Sequence, residues 1–161
     1  MPDMLVRLYA LPLLPPALDA AGRQGISVRR ALAPDVPALV GWTQENFPAS
    51  AAEVGIACGR MPITCFIAVR EGRIVGFACY DATARNFFGP EAVVEAERGR
   101  GVGRTLLLAA LHAQREQGYA YSIVGGVGPA EFYARTVGAV PIAGSTPGIY
   151  AGLLSARLPS D

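Results

Sequence analysis

The sequence RGRGVG at positions 98–103 stands directly before an apolar run, TLLLAALHA at 105–113. Three of its six residues are glycines and two are arginines, so the local backbone is largely bare and the local charge is positive. A β-rich segment precedes it and ends at Val94, and the leucines that follow recur at helical spacing between Arg104 and Gln117. The stretch is therefore predicted to be a turn between a strand and the N-terminus of a helix.

Such a turn is typical of a site that binds phosphate groups. Glycine allows several backbone amides to point the same way, and the positive end of the helix dipole favours an anion. Arginines at 98, 100 and 104 add charge at the rim. Two known phosphate-binding motifs fail on spacing: glycines at 99, 101 and 103 do not match GxGxxG, and Arg104 followed by Thr105 does not complete GxxxxGK[ST]. A glycine-rich turn that serves only tight packing is the alternative interpretation.

Composition limits the remaining functions. The chain has 161 residues, is about half hydrophobic (52%) and carries a net charge of +1, which favours one globular domain and argues against a nucleic-acid partner. The apolar start is broken by Arg7 and four prolines, so neither a membrane span nor a secretory leader is expected there. Three cysteines without a CxxC pair and a single histidine predict a cytoplasmic setting and no bound metal.

Strand-like and helix-like segments alternate along the rest of the chain, which predicts a mixed α/β domain. Residues 1–25 are predicted to form a proline-rich N-terminal arm, residues 26–154 the folded domain, and residues 155–161 a C-terminal tail. Strands are expected at 26–30, 64–69, 74–80, 87–94, 119–124, 140–142 and 149–153. Helices are expected at 35–47, 104–117 and 129–137.

The turn at 98–103 resembles the R/Q-x-x-G-x-G/A signature of the GCN5-related N-acetyltransferases, with Arg98, Gly101 and Gly103 at the motif positions. EFYARTVGA at 131–139 is similar to a second segment of that family, with Phe-Tyr and Gly-Ala in place. The resemblance covers about residues 26–154. It implies a mixed, mostly antiparallel sheet of six to seven strands with helices on both faces, and a splayed wedge between the fourth and fifth strands. It further implies acetyl transfer from acetyl-CoA to a primary amine.

The resemblance places acetyl-CoA in that wedge. The backbone of Val93 and Val94 is expected to hold pantetheine, and amides of the turn are expected to hold the pyrophosphate. The family often has an asparagine where this chain has Gly126, so a side-chain bond to the coenzyme is missing here. The predicted coenzyme-binding residues are Val93, Val94, Arg98, Gly99, Arg100, Gly101, Val102, Gly103, Arg104, Thr105, Gly126, Phe132 and Tyr133.

Acyl transfer requires a group that takes the proton of the amine and a group that assists the departing thiolate. Tyr133 is the predicted acid, with a core tyrosine packed beneath the coenzyme as the alternative. Glu91 and Asp81 are the candidate bases, and each is also interpretable as a solvated carboxylate. An amine of low pKa would need only a water molecule.

The acceptor is expected to be a small-molecule amine. Its site is predicted to be built from the first helix, a loop at about 42–62, the hairpin tip and the C-terminal strands, with Glu45 attracting a cation. The aromatic candidates for its walls are Trp42, Phe47, Tyr80, Phe87, Phe88 and Tyr150. The alternative function is a non-catalytic sensor or subunit that binds acyl-CoA on the same fold. A homodimer is also expected.

Overall fold

A hairpin lies at the centre of the sheet. Its strands pair from Cys65 with Cys79 to Arg70 with Arg73, and a two-residue turn joins them. Both turn residues, Glu71 and Gly72, have positive φ (50° and 73°), the geometry that matches the twist of the flanking strands. The sequence EGR at this point predicted a tight turn, and the structure confirms it.

The structure is a computed structural model that describes residues 1–154, so the predicted tail at 155–161 lies outside the described residues. Its seven-stranded sheet has the order β2-β3-β4-β5-β6-β1-β7. The strands are β1 (Met4–Arg7), β2 (Ile26–Arg30), β3 (Cys65–Arg70), β4 (Arg73–Tyr80), β5 (Phe87–Val93), β6 (Tyr121–Val124) and β7 (Val140–Pro141). The α-helices are α1 (Leu14–Arg23), α2 (Val36–Asn46), α3 (Ala51–Cys58), α4 (Val102–Glu116) and α5 (Ala130–Val137). Neighbouring strands are antiparallel except β5 and β6, which confirms the predicted mixed sheet.

Two apolar clusters cover the two faces of the sheet. One contains the leucines of α4 together with Tyr80 and residues of α1, and the other contains Phe77 with residues of α2 and α3. Helix α4 lies between the sheet and α1, and Leu106, Leu107, Leu108 and Leu111 are completely buried. The central helix is thus apolar nearly all round because it is covered on two sides.

The prediction of a surface arm over residues 1–25 is wrong. Strand β1 pairs with β6 from Met4–Val124 to Arg7–Tyr121 and with β7 on its other side. Met4 and Val6 are buried, as alternation along a strand requires. Two of the four prolines that indicated an arm, Pro15 and Pro16, lie in the first turn of α1, where a proline costs no hydrogen bond. This segment therefore completes the sheet.

Three further local predictions differ from the structure. Residues 149–153 form no strand: a 3-10 turn covers Gly148–Tyr150. The predicted loop at 42–62 contains helix α3. Helix α4 begins at Val102, two residues before the predicted start, which places the last glycine of the turn inside its first turn. Within residues 1–154, no helix combines the length and apolar character that crossing a membrane requires.

Strands β5 and β6 separate soon after they meet, and they pair only at Phe87–Ile123 and Phe88–Val124. A bulge at Gly89–Pro90 disturbs the register between β5 and β4 at the same height. Beyond it, β6 gives way to the loop at 125–129, and β5 continues to Val93 without a neighbour on that side. This splay is the wedge that was predicted between the fourth and fifth strands. Those strands are β5 and β6 in the structure, because the unpredicted strand β1 precedes them in the chain.

Candidate active site

A groove follows the open edge of β5. It comprises four adjoining cavities of about 260, 500, 220 and 340 Å³, named here in order the turn, central, wedge and outer cavities. The turn and central cavities share Val93, Arg98, Gly103 and Phe132. The central and wedge cavities share Glu91, Pro129 and Tyr133. The wedge and outer cavities share Phe88, Gly89, Pro90, Gly125 and Gly126.

The turn at 98–103 presents bare amides to the turn cavity. Gly99 and Gly101 have φ of 76° and 82°, a conformation that other residues rarely adopt. Within residues 1–154, the amides of 99–104 donate to no backbone or side-chain acceptor, and the last three open helix α4. Free amides at the positive end of a helix dipole are suited to a phosphate. Thr105 does not join them, because its amide and hydroxyl both donate to the Gly101 carbonyl.

The third glycine serves another purpose. Gly103 has an ordinary helical backbone, and a Cβ there would lie 3.5 Å from Glu91 Oε1 and 3.9 Å from the Phe132 ring. A side chain would therefore extend into the groove between the turn and central cavities. Gly103 keeps this passage open, whereas Gly99 and Gly101 shape the backbone.

Residues behind the turn hold it in place. Arg70 donates to both carboxylate oxygens of Glu97 at 2.8 and 3.0 Å, and this pairing lowers the pKa of Glu97. Gln24 Nε2 donates to the Arg100 carbonyl at 2.9 Å. The Arg100 guanidinium lies 3.8 Å from Glu97, while Arg104 is exposed at the helix start. The backbone of the turn is thus positioned from one side and open on the other.

Of the two valines that were predicted to bind pantetheine, only one has a backbone amide on the open edge of β5. The Val94 amide donates to the Val75 carbonyl of β4 at 2.9 Å, so it faces away from the groove. Backbone N–H and C=O groups alternate between the two edges of a strand, so those of Val93 and Glu91 point to the open side of β5. Arg98 Nε donates to the Val93 carbonyl at 3.0 Å. The Val93 amide therefore remains available to bind the coenzyme, as predicted, whereas the Val94 amide is not available.

Glu91, one of the two predicted candidate bases, and Tyr133, the predicted acid, line the same two cavities. Glu91 Oε1 is buried and, within the described chain, has no hydrogen-bond partner. Burial raises the pKa of Glu91 well above its ordinary value, because nothing nearby compensates the charged form. Burial, and then the charge of Glu91, raise the pKa of Tyr133. The tyrosine ring packs edge-on against Phe132 and Phe88, with centroids 5.1 and 6.2 Å away.

Asp81 lies away from this pair. It has φ of 51°, is buried, and accepts a hydrogen bond from the Asn86 amide at 2.6 Å. Its carboxylate thereby closes the loop between β4 and β5, and it lines a different cavity together with Arg60 and Arg85. The geometry excludes the hypothesis that Asp81 acts as a base beside Tyr133.

Gly126 lines the wedge and outer cavities, and its amide makes a hydrogen bond that the sequence did not predict. Its φ is 55°, and its amide donates to Asp3 Oδ1 at 2.9 Å, so this amide is occupied. The Tyr150 hydroxyl lies on the bare backbone of Gly125, where an added Cβ would collide with it and with the Phe87 ring. Asp3 thus ties the N-terminal strand to the loop at 125–129. Only long-range folding brings these residues together, so no local pattern could have found Asp3.

The outer cavity has one carboxylate that sequence reasoning missed. Glu53 of α3 lines it and accepts a hydrogen bond from the Thr83 hydroxyl. Glu45, the predicted attracting charge, is exposed on α2 and lines none of the four cavities. Recognising α3 as a helix would have been the signal for Glu53, because that helix carries it toward the sheet.

The predicted aromatic residues divide between wall and core. Phe47 lines the central cavity, Phe88 the wedge and outer cavities, and Tyr150 the outer cavity. Trp42 packs against Phe47 and Phe77 in the core. Tyr80 is buried and accepts a hydrogen bond from Arg30 at 2.6 Å. The Phe87 ring packs against Gly125.

An open strand edge that leads into a turn of free amides is suited to an extended, phosphorylated ligand. The acetyltransferase (GNAT) domain model matches residues 62–136, which include β5, the turn and most of α5. This match and the GNAT-like fold support membership of the GCN5-related N-acetyltransferase superfamily. A comparison with curated proteins gives no match.

Solved structures share the fold at low sequence identity. A GCN5-related glucosamine N-acetyltransferase region of a fungal multi-domain GH3 beta-N-acetylglucosaminidase has a TM-score of 0.72 and 16% identity, over 88% of this chain and 19% of that chain. A GCN5-related N-acetyltransferase from Sphaerobacter thermophilus has a TM-score of 0.65 and 21% identity, over 88% and 48%. An aminoglycoside N-acetyltransferase in complex with CoA has a TM-score of 0.51 and 18% identity, over 70% and 83%. The chain spans less than half the length of the first two.

Proposed function

We propose that the protein transfers an acetyl group from acetyl-CoA to a primary amine of a small molecule by direct attack. One observation carries this proposal: a single groove joins free amides at a helix start, an unpaired strand edge, and the Glu91–Tyr133 pair. The order along the groove matches the order of parts in acetyl-CoA, from diphosphate through pantetheine to thioester. The match of residues 62–136 to the GNAT domain model supports the same assignment.

Coenzyme binding is argued from the turn and the strand edge. The amides of residues 99–104 would donate to the diphosphate, with Arg98 and Arg104 contributing charge. The pantetheine arm carries amide groups that can pair with the open edge of β5, as an added strand would. Phe132 lines both the turn and the central cavities and would pack on this arm. Val102 contributes its amide only, because its side chain is buried in the core.

Glu91 is proposed as the base. An amine is mostly an ammonium ion at neutral pH, and its nitrogen attacks only after losing a proton. An ammonium beside the buried Glu91 favours the charged carboxylate, and the raised pKa of Glu91 brings its basicity nearer to that of an amine. The nitrogen then forms a bond to the thioester carbon, and Glu91 takes the proton, directly or through water. The Val93 amide, on the open edge, would donate to the oxyanion that forms.

Tyr133 is proposed to assist the leaving group. Its raised pKa keeps the hydroxyl protonated, so that it can donate a hydrogen bond to the sulfur as the carbon–sulfur bond breaks. A thiol loses its proton more readily than this tyrosine, so the thiolate takes its own proton from solvent. The function of Tyr133 is thus to stabilise negative charge on sulfur.

The test is a thiol-release assay with acetyl-CoA and a panel of primary amines, combined with thermal unfolding in the presence of CoA. We expect CoA to raise the melting temperature and at least one amine to release free thiol. Stabilisation by CoA without thiol release for any amine would favour a non-catalytic acyl-CoA-binding protein. A melting temperature that CoA leaves unchanged would contradict both functions.

A further inference from the structure

The outer half of the groove, formed by the wedge and outer cavities, differs in charge from the inner half. Two carboxylates line it, Glu91 and Glu53, and no arginine, lysine or histidine of residues 1–154 lines it. Its other walls are glycines, prolines, aliphatic and aromatic side chains, and Thr83. A cleft with charge of one sign and apolar walls attracts ligands of the opposite sign.

Within residues 1–154, neither carboxyl group is paired with a cation. Glu53 supplies the negative charge, and Glu91, whose charged form burial disfavours, becomes charged when an ammonium group lies beside it. Glu91 Oε1 is buried without a hydrogen-bond partner within the described chain and faces the Gly103 side of the groove. Glu53 accepts from the Thr83 hydroxyl, a neutral donor that orients the carboxylate without cancelling its charge. Tyr150 lines the same cavity, and burial, then the charge of Asp3 and then that of Glu53 raise its pKa.

The two carboxylates occupy successive parts of one passage. The wedge cavity, with Glu91, and the outer cavity, with Glu53, share five wall residues and open into each other. Their volumes of about 220 and 340 Å³ are those of a small-molecule site. A ligand that reaches both needs one amine at Glu91, next to Tyr133, and a second cationic group further out.

We infer that the acceptor is a small diamine, a molecule with a primary amine at one end and a second cationic amine several bonds away. Glu53 is its specificity-determining residue and holds the amine that does not react. This inference rests on the proposed function, because it identifies the outer half of the groove as the acceptor site. The reaction is unchanged: one nitrogen forms the amide bond, and the other keeps its proton and its charge.

The test uses butylamine and 1,4-diaminobutane, with 1,6-diaminohexane as a longer diamine. Each is titrated calorimetrically into the full chain saturated with CoA, so that binding is measured without turnover. We expect a diamine to bind about tenfold or more tightly than butylamine, the value of one hydrogen-bonded charge pair. Glu53→Gln keeps the shape and the acceptor for Thr83, and it should weaken diamine binding more than butylamine binding, so that the tenfold advantage of the diamine is lost. Glu116→Gln, on the exposed end of α4, is the matched control and should change neither.

Thiol release, measured separately with acetyl-CoA in place of CoA and with the same amines, separates the inference from the proposed function. Glu53-dependent diamine binding without thiol release would support a diamine site and contradict acetyl transfer. Equal kcat/KM for the monoamine and the diamines, unaffected by Glu53→Gln, would overturn the inference and leave acetyl transfer standing. If Glu53→Gln fails to fold, the wild-type chain decides. Diamine binding must then weaken with added salt more steeply than butylamine binding, and equal salt dependence overturns the inference.

Discussion

Replacing Glu91 by glutamine is expected to stabilise the protein at neutral pH while removing most of its activity. Burial raises the pKa of Glu91 in the folded state, so the folded protein holds this proton more tightly than the unfolded chain does. The free energy of unfolding of the wild type therefore falls as pH rises from the ordinary glutamate pKa, about 4.5, toward the raised folded value. Glutamine does not titrate, so the Glu91→Gln variant escapes this loss.

The size of the effect follows from proton linkage. While the folded carboxyl stays protonated, each pH unit above the unfolded pKa costs the wild type about 1.4 kcal/mol. At pH 6.5, about two units above that pKa, the variant should be more stable by up to about 2.7 kcal/mol. For a domain of this size, this corresponds to a rise in melting temperature of roughly 5–10 °C. The figure is an upper bound because the groove admits water beside the carboxylate.

The assay is urea unfolding of both proteins at a series of pH values between 4 and 8. The stability difference should be near zero at pH 4 and increase with pH until the folded pKa of Glu91 is passed. Glu95→Gln, which removes an exposed carboxylate four residues away, should show no such divergence. Parallel stability curves for the wild type and Glu91→Gln would refute the reasoning. Thiol release by Glu91→Gln should fall about 100-fold, as expected for the loss of a general base.

Three other variants test the groove, and a fourth, Gly22→Ala, is a control outside it. Tyr133→Phe should lower kcat about 10- to 100-fold without changing CoA affinity, because it removes one hydrogen bond to the developing thiolate; thiol release and CoA titration measure the two effects. Gly101→Ala should weaken CoA binding and reduce stability by about 1 kcal/mol, because φ is 82° there. Gly22→Ala, in α1 with open space around it, should instead add about 0.5–1 kcal/mol in urea unfolding. Asp3→Ala should raise KM for the amine more than KM for CoA in steady-state kinetics, since Asp3 fixes the Gly126 amide on the acceptor side.

The two carboxylates predicted as bases show where sequence reasoning reached its limit. Both Glu91 and Asp81 end up buried or half-buried near strand ends, and composition does not distinguish them. Asp81 accepts the Asn86 amide within its own loop, whereas Glu91 Oε1 has no partner in residues 1–154. This difference arises from where the fold places each carboxyl group. Asp81 lies in the loop after β4, where the Asn86 amide reaches it, whereas Glu91 lies on β5 beside Gly103 of α4.

The sequence alone determined the features that depend on neighbours along the chain. The strand–turn–helix order around RGRGVG, the hairpin closed by Glu71 and Gly72, and the position of Tyr133 one residue after Phe132 are local. They follow from backbone preferences and from short-range periodicity.

The tertiary structure decided what depends on residues far apart in the chain. It placed β1 between β6 and β7, committed Thr105 and Val94 to internal hydrogen bonds, and brought Glu53 to the groove that Glu91 lines. The physical reason is that buried polar groups must find partners wherever the fold brings them. The acceptor site proposed here consists of the two carboxyl groups, Glu91 and Glu53, that the packed elements leave facing the open groove.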